Sequence, residues 1–147
     1  MVILSFSISE HKPMLLDGRK DQTIRLFTKK RYEEIGSAKN LEIYWKLRLP
    51  HSKGGSEKLF DARPLEVFPI YLYASFGRMG FLSDPWPWYA QPDGTLLSRL
   101  SIDQTFDLVR RDGFKYRNDL YDALEKLHGA KDLTKLFFVT RFAKKVA

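Results

Sequence analysis

The sequence predicts an α+β protein of about five to six strands with flanking helices, in a single domain over residues 1–147. Three observations carry this. Segments near both ends and before the middle alternate apolar and polar residues with a period of two, the pattern of a half-buried strand. Two stretches in the last third space their apolar residues as a helix does. A chain of this length, 44% hydrophobic with 11 Phe, 7 Tyr and 3 Trp, can bury a core without disulfides.

Val2 to Ile8 sets Val2, Leu4, Phe6 and Ile8 on one face and opens the chain as a strand. Ser9 is a candidate N-cap for a short helix running through Leu16, with Glu10 and Pro13 in its first turn or so. Met14, Leu15 and Leu16 are expected to seal one end of the core, and Gly18 supplies the backbone freedom that stops the helix. A second strand follows from Gln22 to Phe27. Thr28 to Lys39 reads as a short helix or turn pair ending at Gly36, with the basic triplet Lys29-Lys30-Arg31 at its start.

Leu41 to Leu49 places Leu41, Ile43, Trp45, Leu47 and Leu49 on one face and Glu42, Tyr44, Lys46 and Arg48 on the other. Gly54-Gly55 marks a turn. Lys58 to Ala62 and Leu65 to Phe76 are two strands or one bent strand, broken by Pro64 and Pro69. An aromatic-rich loop is expected around 77–100, with Trp86, Trp88 and Tyr89 in it; it is either a flap that stacks a base or an aromatic plug or dimer patch. Ser101 to Arg111 follows as a capped helix with Ile102, Phe106 and Val109 inward and Thr105 and Leu108 beside them. Asn118 to His128 turns Leu120, Leu124 and Leu127 inward and stops at Gly129, and Lys135 to Phe142 closes the chain as a strand.

Several classes of chemistry are excluded or disfavoured. The chain has no cysteine, which removes disulfides, thiolate catalysis and cysteine-bound zinc. His11, His51 and His128 are not at ligand spacing, so no metal and no cofactor is expected. No apolar run approaches a membrane span, and the start lacks a basic leader and a cleavage site; a cytoplasmic location with no membrane partner is the expectation.

The chemistry concentrates in Gly18-Arg19-Lys20-Asp21-Gln22-Thr23-Ile24-Arg25, at a helix-to-strand turn. In an extended strand Thr23 and Arg25 point the same way, and Lys20 can fold back toward them. An amine, a hydroxyl and a guanidinium then share one pocket. Taken as bare chemistry the same residues also suit a helix C-terminus followed by an ordinary strand.

Gly-x-Lys-x-x-Thr-x-Arg after a strand and a helix near the N-terminus resembles the signature of the ASCH family, small β-barrel proteins related to the PUA RNA-binding domains. The likeness continues through the strand at 41–49, Asp112-Gly113-Phe114, the helix after it and the last strand; residues 77–100 depart from it. It implies a PUA-like barrel and an RNA or nucleoside ligand. The net charge of +7 agrees with a polyanionic partner, and residues 1–60 carry most of it, with 12 basic against 7 acidic side chains. In the binding-module reading Arg19, Lys20, Arg25, Lys29, Lys30 and Arg31 hold phosphates, with Tyr44, Trp86 or Trp88 stacking a base. Relatives in the family remove acetyl from acetylcytidine. Carried over on that basis, Thr23 is the nucleophile, Lys20 takes its proton, Asp112 orients these groups or handles the proton in the second half of the cycle, and Arg25 stabilises the oxyanion or holds the substrate. The acid here is Asp, shorter than the Glu of those relatives. A ribonuclease using the same cations is the third alternative, and oligomeric state is left open.

Overall fold

A computed structural model describes residues 2–6, 8, 10–45, 57–75, 78–83, 98–129 and 136–146, with the side chains of 73–75, 78–83 and 98–99 excepted. The elements run β1 (Val2–Phe6), α1 (His11–Leu16), β2 (Gln22–Leu26), α2 (Lys29–Ser37), β3 (Leu41–Trp45), β4 (Glu57–Ser75), β5 (Arg78–Ser83), β6 (Ser98–Arg99), α3 (Ile102–Arg111), α4 (Arg117–His128) and β7 (Phe137–Lys144). The architecture is α+β.

Five strands make a mixed half-barrel in the order β1-β3-β4-β7-β2, with β1 parallel to β3 and the other neighbours antiparallel. Its concave side holds Leu4, Phe6, Leu41, Ile43, Trp45, Phe60, Phe138 and Phe142, capped by Leu15 from α1 and by Tyr32 and Ile35 from α2. On the convex side Ile24, Ile70, Phe137 and Val139 pack against Leu108 and Val109 of α3 and Leu120 and Leu124 of α4. Alternation along β7 therefore feeds two cores, which is why this strand is apolar on both faces.

The half-barrel's two edges, β1 and β2, face each other without a backbone ladder among the described residues. Two guanidinium groups reach the β1 edge instead. Arg25 of β2 donates to the Ser5 carbonyl at 2.8 Å, and Arg31 of α2 donates to the Ile3 carbonyl.

β4 is one strand, with a bulge between Pro64 and Glu66. It pairs with β3 up to Ala62, so beyond that residue, as far as Ile70, its β3 side has no strand partner among the described residues. Pro64 and Pro69 fall in this window, where a missing N–H removes no bond on the open side.

Several expectations are corrected. Residues 78–83 are not loop but strand β5, antiparallel to the end of β4, a pairing partner that the local sequence does not announce. Ser98–Arg99 continues the ladder as β6. On α3, Ile102 and Phe106 are 76% and 65% exposed, while Leu108 and Val109 are buried: only the last turns reach the sheet. Leu127 of α4 is likewise 63% exposed, and Leu16 faces outward while Leu15 seals the core. The α1 N-cap is Glu10, without a side-chain cap, and Ser9 lies outside the described residues. So do Lys46, Leu47, Arg48 and Leu49. Ser101 does cap α3, in a reciprocal pair with Gln104. No described helix is long and apolar enough to cross a membrane.

Candidate functional site

The turn after α1 carries Lys20 into the interior. Gly18 takes φ of +84°, ending the six-residue helix, and the Lys20 N–H donates to the Met14 carbonyl at 2.9 Å. Lys20 is 3% exposed. Its Nζ donates to the Asp112 main-chain carbonyl at 2.5 Å, lies 3.7 Å from the Asp112 carboxylate and sits 5.3 Å from the centre of the Phe6 ring. Ninety-two residues separate the lysine from its partner.

Asp112 arrives as the C-cap of α3, immediately before Gly113 at φ +93°. It is thus an ordinary helix-ending residue and a buried acid at once, 6% exposed. Its Oδ1 accepts from Gln22 Nε2 at 3.2 Å, and the same amide donates to the Leu108 carbonyl at 2.9 Å. Gln22 Oε1 in turn accepts from Arg141. Asp21 anchors the helix from the other side through a bidentate pair with Arg111 at 2.8–2.9 Å.

Arg25 belongs to the same group, its guanidinium 5.8 Å from the Phe6 ring centre. Thr23 is buried and sits two residues before Arg25 on the same face of β2, toward the concave core. Its hydroxyl makes no hydrogen bond among the described residues. His11 is buried beside the cluster. Its ring meets Phe114 edge-on at 4.8 Å and lies so close to Gly113 that a Cβ there would come within 2.7 Å of Nε2.

Burial dominates the electrostatics. Desolvation holds Lys20 below the usual lysine range, against the attraction of Asp112 and with added repulsion from Arg25. The same desolvation pushes Asp112 up, opposed by Lys20, Gln22 and Arg25. His11 is lowered to about 4, mainly by burial and then by Lys20, with a hydrogen bond to the Gly113 backbone opposing. Three ionisable groups thus share a volume where each charged form is penalised.

No family model, curated protein or solved structure matches this chain.

Of the residues singled out from the sequence, Lys20, Arg25 and Asp112 come together, and Thr23 is buried on the same face of β2 as Arg25. The others divide. Arg19 is exposed and paired with Asp17 at 2.7 Å. Arg31 is engaged by the Ile3 carbonyl and by Glu34. Lys29 and Lys30 are exposed on the first turn of α2, after the Thr28 cap. Tyr44 alternates away from the concave face that Ile43 and Trp45 line, so it is not part of the cluster. Trp86 and Trp88 lie outside the described residues. The residues not anticipated are Gln22, His11 and Thr140. Gln22 stood inside the motif as a spacer, and His11 and Thr140 gain meaning only once helix and strand partners are known. Among the described residues no group of three His, Asp or Glu side chains is placed to hold a metal ion.

Proposed function

We propose that this protein recognises RNA or a nucleoside derived from it at the Lys20–Thr23–Arg25–Asp112 cluster, as its resemblance to the PUA-like ASCH barrels implies. The observation that carries the reading is the burial of Lys20 with Asp112 beneath Phe6. A pair that only held the fold together would be as stable, or more so, with apolar residues of the same size. Charges kept at this cost suit a small, polar, flat ligand that enters among them. The exposed Lys29 and Lys30 are available to meet flanking phosphates of a longer strand.

Equilibrium binding of N4-acetylcytidine and of a short single-stranded RNA tests this, with Lys20→Ala as control. Binding of either that disappears in Lys20→Ala supports the cluster; binding unchanged in the variant places the ligand elsewhere. For RNA, replacing Lys29 and Lys30 together lowers the slope of log affinity against log salt by about 0.7 for each phosphate that is no longer neutralised.

A second reading, amide hydrolysis of an acylated nucleoside, is favoured by the depressed Lys20 amine and by a buried Thr23 hydroxyl on the same face of β2 as Arg25, whose charge acts on that amine. In it Thr23 Oγ1 adds to the acyl carbonyl carbon as its proton passes to Lys20 Nζ. The C–N bond then breaks, that proton leaves on the nucleobase amine, and water releases the acyl group from Thr23. Asp112 holds the lysine in place, and Arg25 faces the developing oxyanion. Release of acetate that is lost in both Lys20→Ala and Thr23→Val supports it; binding without acetate release leaves recognition alone.

A further inference from the structure

Along β7, Phe138, Thr140 and Phe142 point into the concave core, and the two phenylalanines are part of its aromatic packing. Thr140 between them is fully enclosed, at 0% exposure, and its hydroxyl has no hydrogen-bond partner among the described residues. Buried hydroxyls nearly always find a partner, and one left without is destabilising. Valine would occupy the same volume without that deficit. The register places Thr140 directly opposite Thr23 of β2, with Arg25 next along the same face, opposite Phe138. Two hydroxyls with no bond between them or to other described side chains therefore line one spot of the barrel wall, beside the guanidinium that shares Phe6 with Lys20.

We propose that Thr140 is a ligand-reading residue: with Thr23 it forms a pair of hydroxyls that hydrogen-bonds a carbonyl or amide group of a heterocyclic ligand held by the cluster. The inference rests on the recognition reading for the ligand's place, and on the enclosed hydroxyl for the residue. Each hydroxyl can donate or accept, so the pair suits an amide edge, which presents both an N–H and a C=O. It sets which base or acyl group fits, and takes no part in bond breaking.

The test uses the full chain and two variants, Thr140→Val and Thr140→Ser, with N4-acetylcytidine as probe and thermal unfolding of the ligand-free protein alongside. Thr140→Val is expected to raise Tm by about 2–4 °C, since it removes the unpaired group from a chain of this size, and to weaken the probe about 5- to 10-fold. Thr140→Ser keeps the hydroxyl and stays within about threefold of the unaltered protein, which also guards against a fold defect in the valine variant. A fall of Tm in Thr140→Val overturns the proposal, because the hydroxyl then serves an internal bond or a structural water. Equal probe affinity in Thr140→Val, with binding abolished in Lys20→Ala, overturns it while leaving recognition at the cluster intact. No binding by the unaltered protein overturns both, and any gain in Tm then marks a plain packing fault.

Discussion

The Lys20–Asp112 pair makes the sharpest energetic prediction. At 3.7 Å their attraction is about 4 kcal/mol with an effective dielectric constant near 20. Desolvation still prevails on both, since Lys20 is lowered and Asp112 raised from their ordinary values. Removing one partner, in Lys20→Met or Asp112→Leu, strands the other and costs about 3 kcal/mol, the low end for buried pairs because the stranded group neutralises itself. The double variant, which removes both charges, is expected within about 2 kcal/mol of the unaltered protein, so the two changes are coupled by at least about 4 kcal/mol. Urea unfolding of the four proteins at pH 7 measures this. The pH dependence follows with a definite sign. In Asp112→Leu the folded state binds fewer protons at Lys20 than the unfolded state, so stability rises as pH climbs from neutrality toward 10.5, the ordinary lysine value. In Lys20→Met the folded state holds a proton on Asp112 that the unfolded state gives up, so stability rises as pH falls toward 3.8. Single effects that add to within about 0.5 kcal/mol would refute the coupled pair.

Three further outcomes are expected. Gly113→Ala forces a side chain into φ +93° and against the His11 ring, costing about 2 kcal/mol or more in thermal unfolding; adding His11→Ala relieves the clash but not the strain. His11, lowered to about 4, binds a proton more readily when unfolded, so stability is complete above pH 6.5 and declines by up to about 1.4 kcal/mol per unit as pH falls from 6.5 to 4; a His11→Phe variant shows a shallower decline. On α3, Leu108→Ala costs about 2–5 kcal/mol while Phe106→Ala costs under about 0.5, a contrast that chemical denaturation reads directly.

β1 and β3, with one face in the core, were legible because alternation is a local signal, and both start where the pattern begins. Helix ends were legible where a cap or a glycine marks them, as at Gly18, Ser101 and Gly129. What alternation and spacing do not contain is the extent of the partner surface. Ile102, Phe106 and Val109 make a continuous stripe on α3, yet the sheet meets the helix at its C-terminal turns, where Gln22 and Asp21 grip the Leu108 and Arg111 carbonyls. Leu127 fails for the same reason one helix later. In the cluster, Lys20, Thr23 and Arg25 were legible from their spacing, and Asp112 only through the family resemblance. Thr140 was not, because a threonine in an alternating strand has no signature until its cross-strand partner is known.

The open seam of the half-barrel explains why a polar cluster persists in an aromatic core. Closing β1 against β2 by a backbone ladder would satisfy the Ile3 and Ser5 carbonyls and leave no room for charge. Here the carbonyls are met by Arg31 and Arg25, so the seam brings a guanidinium inward with its charge already partly compensated. That guanidinium repels Lys20, and the repulsion is bearable only because Asp112 is delivered opposite by the end of α3. α3 in turn is held by Asp21 and Gln22, residues of the same turn and strand that present Lys20 and Arg25. The seam and the cluster are therefore one construction. A side chain that filled the seam with apolar atoms would remove the reason for Asp112 to be buried at all.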